Sequence, residues 1–167
     1  TAGSMGATGW NGGEVKATNS GVVESGDGIR VNANGEGSKA ELTNSGEANR
    51  IHGDANEGGT TSVTNDGKVT GDGSAITVTD PNSGETWKET SGMLNCWANG
   101  EGSSMTVVNN GTVGYAVGVD AEGKGSSATV SNNGTAGSMD ATGSNGGEVK
   151  ANNSGVIENG VGVNANG

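Results

Sequence analysis

The 167-residue chain contains 35 glycines and no phenylalanine, and 29% of its residues are hydrophobic. This composition excludes a globular domain built around large apolar side chains, because glycine and small polar residues cannot fill a thick core. The formal net charge of −11 argues against nucleic acid and anionic membranes as partners, since both attract positive surfaces. No apolar run approaches the ~20 residues of a transmembrane helix, so we expect no membrane span in this segment. The single cysteine, Cys96, excludes an internal disulfide framework.

In chain order, the first feature is a stretch that returns near the end. Residues 1–26 read TAGSMGATGWNGGEVKATNSGVVESG and residues 135–160 read TAGSMDATGSNGGEVKANNSGVIENG, so 21 of 26 positions are identical at an offset of 134 residues. Internal copies of this kind are typical of tandem-repeat proteins, in which repeated units stack on one another.

A shorter period starts at an asparagine that is followed two residues later by a glycine. Apolar residues, mostly Ala and Val, stand two and four residues before this asparagine and four residues after it. The residues between them are mostly Thr, Ser, Asn, Glu and Lys, and this alternation predicts strands with one buried and one solvated face. The asparagines are Asn19, Asn44, Asn65, Asn109, Asn132 and Asn153, and the glycines are Gly21, Gly46, Gly67, Gly111, Gly134 and Gly155.

Cutting the sequence at each glycine pair gives seven coils of 18 to 26 residues, with residues 1–11 as the tail of an earlier coil. One coil holds two or three short strands and cannot bury a core alone, whereas stacked coils pair strand on strand at about 4.8 Å and share one. The sequence therefore predicts an all-β fold, a parallel β-solenoid that forms a single domain over residues 1–167. The coils are 12–36, 37–57, 58–83, 84–101, 102–124, 125–145 and 146–167.

The asparagines have the same strand parity as the buried Val and Ala, so we expect their amides to point inward at a corner of each coil. A stacked row of amides can donate and accept hydrogen bonds from coil to coil, as asparagine ladders do in cross-β structures. We expect the glycine two residues later to take a positive φ, which would let the chain turn the corner.

Repeats of the form xAxVxNxGxVxxxxGIxVxAxG, which cover nearly the whole chain, resemble the passenger regions of bacterial autotransporters and other secreted β-helix adhesins. The resemblance lies in rhythm and composition. It implies a right-handed parallel β-helix presented outside a bacterial cell or at its surface. Residues 164–167 end in the phase in which Asn32–Gly35 lead into another coil. We therefore predict a window on a longer tandem array, or a subunit that assembles with itself head to tail into a filament.

The sequence thus favours an extracellular structural or adhesive filament protein without enzymatic activity. A ligand-binding or ice-binding solenoid is the first alternative, for which the chain offers one Thr-x-Thr step at residues 77–79. A carbohydrate-active β-helix enzyme is the second alternative. Arg50, His52 and Asp54 would share one strand face. With this single His, the sequence supports no Ser/His/Asp or Cys/His catalytic arrangement, and we expect a solvated charged face.

Three glutamates are candidate ligands for a structural Ca²⁺ ion. Glu36, Glu57 and Glu101 each precede the first glycine of a coil, so their carboxylates could stack at a corner. Adjacent carboxylates repel each other, and oxygen ligation of a cation would relieve that repulsion. The nine-residue GGxGxDxUx pattern of calcium-loaded β-rolls is absent, and we therefore expect no cofactor.

The coil at 84–101 departs most from the repeat, since it holds two of the three tryptophans and the cysteine, and has Thr90 where the asparagine should be. Strand parity counted from Thr90 places Leu94 and Cys96 inside and Trp87 and Trp97 outside. Outward tryptophans could bind surface glycans or a neighbouring protein, or they could cover a thin place in the core. The candidates for surface contact are Trp10, Trp87 and Trp97.

Overall fold

The computed structural model of the chain describes residues 1–24, 28–79 and 84–166. None of these residues belongs to a helix long and apolar enough to cross a membrane. In chain order the strands are β1 (Met5–Trp10), β2 (Glu14–Asn19), β3 (Val22–Val23), β4 (Ile29–Asn34), β5 (Lys39–Asn44), β6 (Glu47–Ala48), β7 (Ile51–Asn56), β8 (Thr60–Asn65), β9 (Lys68–Val69), β10 (Ala75–Thr79), β11 (Thr86–Thr90), β12 (Met93–Asn99), β13 (Ser104–Asn109), β14 (Thr112–Glu122), β15 (Ser127–Asn132), β16 (Thr135–Ser144), β17 (Glu148–Asn153) and β18 (Val156–Asn166).

Each turn of the chain visits three strand positions. The first position belongs to a six-stranded sheet of β2, β5, β8, β13, β15 and β17, and the third belongs to a larger sheet that contains β1, β4, β7, β12, β14, β16 and β18. The second position is a short strand such as β3, β6 or β9, and β14, β16 and β18 merge it with the third. Strands at the same position pair in parallel from turn to turn. The described residues therefore form a parallel β-solenoid of about seven turns, counting the partial turn at β1, and the predicted fold class is confirmed.

The pairing register aligns the columns that are visible in the sequence. β2 and β5 pair Ala17 with Leu42 and Asn19 with Asn44, and the same columns continue through β8, β13, β15 and β17. Because side chains alternate along a strand, the small apolar residues face inward and form one continuous core. The largest fully buried apolar side chains of this core are Ile29, Leu42, Ile51, Leu94, Met105 and Met139.

The predicted coils 58–83 and 84–101 are wrong as separate turns, because they form one turn with an insertion. β8 and β9 fill the first two positions of this turn, and β12 fills the third, where it pairs in parallel with β7 and β14. Between β9 and β12 the chain forms an antiparallel hairpin of β10 and β11, in which Thr90 pairs with Ala75. Thr90 therefore does not replace a ladder asparagine. Residues 80–83, where the two predicted coils meet, lie outside the described residues.

The positive φ expected at the corner after each asparagine is wrong. The glycines with positive φ lie elsewhere, chiefly at the corner after the third strand position, with φ of 82° at Gly12 and 83° at Gly58. At the asparagine corner, successive turns approach so closely that a Cβ on Gly46 would collide with the carbonyl oxygen of Gly21. Glycine is therefore needed there for close approach. The corner glycines without positive φ are Gly21, Gly46, Gly67, Gly111, Gly134 and Gly155.

Candidate functional site

The inward asparagines form a continuous hydrogen-bonded ladder along the solenoid axis. At each step the Nδ2 of one asparagine donates to the Oδ1 of the asparagine in the next turn, over 2.7 to 2.9 Å. The ladder therefore has a direction, with its amide donors pointing toward the C-terminal end. The four central members are 0% exposed, so they belong to the core. The members are the predicted ones, Asn19, Asn44, Asn65, Asn109, Asn132 and Asn153.

Arg50, His52 and Asp54 share one face of the chain at β7, but the expected solvation of that face is wrong. Their exposed fractions are 3%, 1% and 6%, although the face points away from the core. His52 lies between its two neighbours, with Nδ1 3.4 Å from an Arg50 guanidinium nitrogen and Nε2 3.0 Å from Asp54 Oδ1. Arg30, on β4, donates to Asp54 Oδ2 at 3.1 Å. A run of charged residues in the sequence is thus a buried network in the fold.

The inserted hairpin contributes to this network. Glu89 on β11 pairs with Arg50 at 3.1 Å. Val78 on β10 is 0% exposed, and since a two-stranded hairpin cannot bury a side chain fully by itself, the hairpin packs against the solenoid. Trp97 on β12 meets the His52 ring edge-on, with 4.7 Å between ring centroids and 80° between ring planes. We call the titratable members of this network the outer polar cluster, namely Arg30, Arg50, His52, Asp54 and Glu89.

Asp54 is the anion at the centre of the outer polar cluster. Burial alone would raise the pKa of Asp54, but hydrogen bonds and charge from His52 and Arg30 hold that pKa below its ordinary value. Asn32, with its amide oriented to suit its neighbours, donates to Asp54 Oδ2 at 2.9 Å. Asp54 is therefore ionised at neutral pH and orients His52. The thiol of Cys96 faces the core, and burial raises its pKa. Cys96 and His52 therefore do not form a catalytic pair of nucleophile and base.

Beside the cluster, the outer face of β12, β14 and β16 carries an open groove of about 390 Å³. Burial raises the pKa of Asp120 in this groove above its ordinary value, and the charge of Asp140 adds to the rise, while hydrogen bonds from Trp97 and Thr142 oppose it. Apart from Trp97, the sequence interpretation missed these residues, although outward parity along each strand was an available signal. The groove is lined by Trp97, Asn99, Asp120, Glu122, Thr142 and Ser144.

The three tryptophans predicted as surface contacts lie in three different places. Trp10, on β1, is 65% exposed, and its counterpart in the second copy is Ser144. Trp87, on β11, is partly buried and donates to Glu89 Oε1 at 3.0 Å. Of the three, Trp97 is the one that lines the groove. The predicted inward placement of Leu94 and Cys96 is confirmed, since both are 0% exposed.

The candidate calcium ligands do not form a row. Glu57 has φ of 52° and occupies a corner one residue shorter than the corners of Glu36 and Glu101, as the strand registers require. Gly58 lies between those two glutamates, because a Cβ on it would be 3.4 Å from the Glu36 Cα and 3.8 Å from the Glu101 carbonyl oxygen. Within the described ranges, no group of three His, Cys, Asp or Glu side chains could hold a metal ion.

Comparison with known proteins identifies no relative of this chain. No family model matches the chain, and neither does any curated protein or solved structure. The resemblance to secreted β-helix adhesins therefore stays a prediction, and the function has to be inferred from the end faces and outer surface of the solenoid.

Proposed function

We propose that the protein is a structural and adhesive β-solenoid of an extracellular filament, and that its stack continues beyond β17 and β18 through a further coil of the same repeat. The apolar end face carries this proposal. Val161 and Val163 of β18 are 53% and 55% exposed. Their partners one turn back, Met139 and Ala141, are 0% and 1% exposed. Covering the two valines would contribute about 1 kcal/mol each. The extracellular placement rests on the resemblance in repeat rhythm.

The two ends of the asparagine ladder support a continued stack. Asn153 accepts hydrogen bonds from Asn132 Nδ2 and from the Gly155 N–H, but its own Nδ2 donates to no residue that the structure describes. At the opposite end, Asn19 Oδ1 accepts the Gly21 N–H at 3.1 Å and has no asparagine before it in the ladder. An added coil with an asparagine in this column would extend the ladder at either end, donor to acceptor.

Charges on the six-stranded sheet indicate which coil fits the C-terminal end. In the first two turns Glu14 pairs with Lys39 at 3.0 Å, and Lys16 pairs with Glu41 at 2.8 Å. Residues 148 and 150 repeat the Glu and Lys of residues 14 and 16 in the same columns. A coil with Lys and Glu at the positions of residues 39 and 41 would therefore complement them. Each exposed pair is weak, so the pairs select the partner more than they stabilise it.

The same charges disfavour direct docking of two copies of this segment. If the first turn of a second copy stacked in register on β17, Glu14 would stand beside Glu148 and Lys16 beside Lys150. Like charges directly opposite each other on neighbouring strands are destabilising. Continuation by a coil of the 37–57 type thus fits the end face better than head-to-tail stacking of separate copies.

The proposal is tested by lengthening the chain. We expect a chain extended after residue 167 by a copy of residues 36–57 to unfold at a higher denaturant concentration than the original, because the added coil covers the end face. The control extension exchanges the Lys and Glu that correspond to residues 39 and 41, and should stabilise less. If the added coil unfolded separately and left the original transition unchanged, the end face would not be a stacking surface.

A second test reverses the charges at the end itself. Glu148→Lys combined with Lys150→Glu makes the C-terminal end complementary to Glu14 and Lys16, so this double variant should form head-to-tail assemblies at concentrations where the original chain does not. Light scattering and electron microscopy measure this. High salt screens the charges and should reduce the difference in assembly between the double variant and the original chain. Equal assembly of both proteins at low salt would contradict the charge argument.

The Thr-x-Thr step that suggested the ice-binding alternative does not lie on a parallel sheet. Thr77 and Thr79 lie in β10 of the antiparallel hairpin, which is separate from the parallel sheets, so they do not begin a row of threonines along the axis. An ordered ice-binding face would need such a row in most turns.

A further inference from the structure

Trp97 interrupts a column of small polar side chains on the outer face of the larger sheet. Its partners in register are Asp54 on β7 and Asp120 on β14, and the column continues with Thr142 on β16. The core does not require this indole, because the inward face of β12 is filled by other residues of the strand. A large aromatic side chain at this outward position therefore calls for another explanation.

The outer polar cluster fixes the orientation of Trp97. The His52 ring meets the indole edge-on, and Arg50 and Asp54 hold the two ring nitrogens of that histidine. On the opposite side Trp97 lies beside Asp120, its partner in register on β14. An aromatic side chain held against such a fixed ring is preorganised, which lowers the entropy cost of binding a ligand against it.

The rest of the groove supplies hydrogen-bonding groups in fixed positions. Asp120 and Glu122 lie on β14 and Thr142 on β16, so the side chains of the two strands stand about 4.8 Å apart along the axis. Asp120 lies in register with Thr142, and Glu122 Oε1 accepts a hydrogen bond from Asn145 Nδ2 at 3.0 Å. Glu122 is thereby oriented, and both carboxylates keep lone pairs for a ligand.

An aromatic face beside oriented acceptors has the chemistry that recognises a sugar. The C–H face of a pyranose packs on an indole, and its hydroxyls donate to carboxylate oxygens. We propose that the groove binds a neutral oligosaccharide, with one sugar on Trp97 and the hydroxyls of the next directed at Asp120 and Glu122. The two carboxylates and the net charge of −11 repel anionic glycans. A basic peptide would be attracted by the same carboxylates, and it is the alternative that the titration below distinguishes.

The inference deepens the adhesive part of the proposed function, and its test is independent of stack extension. The three tryptophans give three indole N–H signals in a nitrogen–proton correlation spectrum, which Trp10→Ser and Trp97→Phe assign. Titration with cellotetraose, chitotetraose and mannotetraose, each to millimolar concentration, should shift the Trp97 signal with at least one of them and leave the Trp10 signal in place. Trigalacturonate and an oligolysine peptide are the charged comparisons.

Two variants separate binding from folding. Glu122→Gln keeps the size of the side chain and should weaken binding at least fivefold while the thermal midpoint stays within a degree or two. Trp10→Ser, which copies the residue of the second repeat, should bind as the original chain does. The inference is overturned if no neutral oligosaccharide shifts the Trp97 signal, if the peptide alone does so, or if Glu122→Gln binds with unchanged affinity. These outcomes concern only ligand binding, and the unfolding test of the extended chain is interpreted separately from them.

Discussion

The asparagine ladder and the outer polar cluster both bury polar side chains, but they do so in opposite ways. In the ladder, the same residue recurs in successive turns, and each amide is satisfied by an identical neighbour. The outer polar cluster occurs once and joins different residue types from β4, β7 and the hairpin. A repeated interaction stabilises the stack along its whole length, whereas a unique one stabilises a single feature. Their loss should therefore have effects of different size and reach.

The largest effect is expected from breaking the ladder at its centre. Asn65→Leu removes the 2.7 Å acceptor of Asn44 Nδ2, which keeps only its 3.4 Å bonds to backbone carbonyls, and it removes the donor to Asn109 Oδ1 in the core. At about 1–3 kcal/mol for each lost bond, the free energy of unfolding should fall by about 4 kcal/mol. Asn153→Leu, at the exposed end of the ladder, should cost about 1 kcal/mol or less. Asn49→Ala, outside the column, is the second control. Equal losses for the three variants in urea denaturation would show that the ladder is not a stabilising unit.

A smaller and more local effect is expected from the outer polar cluster. Arg50→Met removes the partner of Glu89 and should cost about 2 kcal/mol, since a half-buried charge loses its pair. Hydrogen exchange should rise in β10 and β11 and stay low in β5, β8 and β13. Lys68→Met removes the exposed pair with Glu47, 3.6 Å long, and should cost less than about 0.5 kcal/mol. Faster exchange throughout the solenoid in Arg50→Met would contradict a local role for the cluster.

Lowering the pH should change the stability contributed by Asp54 in the outer polar cluster and by Asp120 in the groove in opposite directions. The pKa of Asp54 is held below its ordinary value, so its contribution is present above about pH 4 and is lost as the pH falls through the folded-state pKa. Asp54→Asn should therefore be about 1–2 kcal/mol less stable at pH 7 and show a shallower loss below pH 4.

The pKa of Asp120 is raised by burial, so ionisation of this residue costs stability at neutral pH. That cost disappears as the pH falls below the folded-state pKa. Asp120→Asn should accordingly be more stable than the original chain at pH 7, by less than about 1 kcal/mol, and equal to it at pH 3. Urea denaturation from pH 3 to pH 7 measures both aspartates, and parallel pH profiles for the two variants would refute the assigned directions.

The smallest effect is expected from metal removal. Because Gly58 separates Glu36 from Glu101, a chelator should change the thermal midpoint by less than about one degree, and Glu36→Gln should behave in the same way. A drop of many degrees on adding chelator, abolished in Glu36→Gln, would mean that calcium bridges this corner.

The parts of the structure that repeat could be predicted from the sequence, because a column of residues at even spacing is visible without any knowledge of contacts. The ladder and the inward face of β12 follow from strand parity. The hairpin could not be predicted in this way, because Thr77-Val78-Thr79 alternates just as a solenoid strand does, and only its partner strand distinguishes the two. Parity placed Arg50, His52 and Asp54 on one face, but it could not say that the face would be covered.

The corner glycines show a further limit of sequence reasoning. The corner at these positions was predicted correctly, but the physical reason for its glycine was not. A sequence shows that a side chain is absent, and it does not show whether backbone torsion or a neighbouring backbone excludes it. At Gly46 the neighbouring backbone decides, because the carbonyl oxygen of Gly21 occupies the space of a Cβ.

One ladder step has a consequence for how such a protein can change. Asn65 and Asn109 are 44 residues apart and bond at 2.8 Å, whereas Asn44 and Asn65 are 21 residues apart and bond at 2.7 Å. The hydrogen bond between successive ladder asparagines therefore does not depend on the length of chain inserted between β9 and β12. New sequence can be accepted at the flank without interrupting the stack. Related proteins could therefore differ in the segment inserted on the side of the solenoid while the stack of coils stays the same.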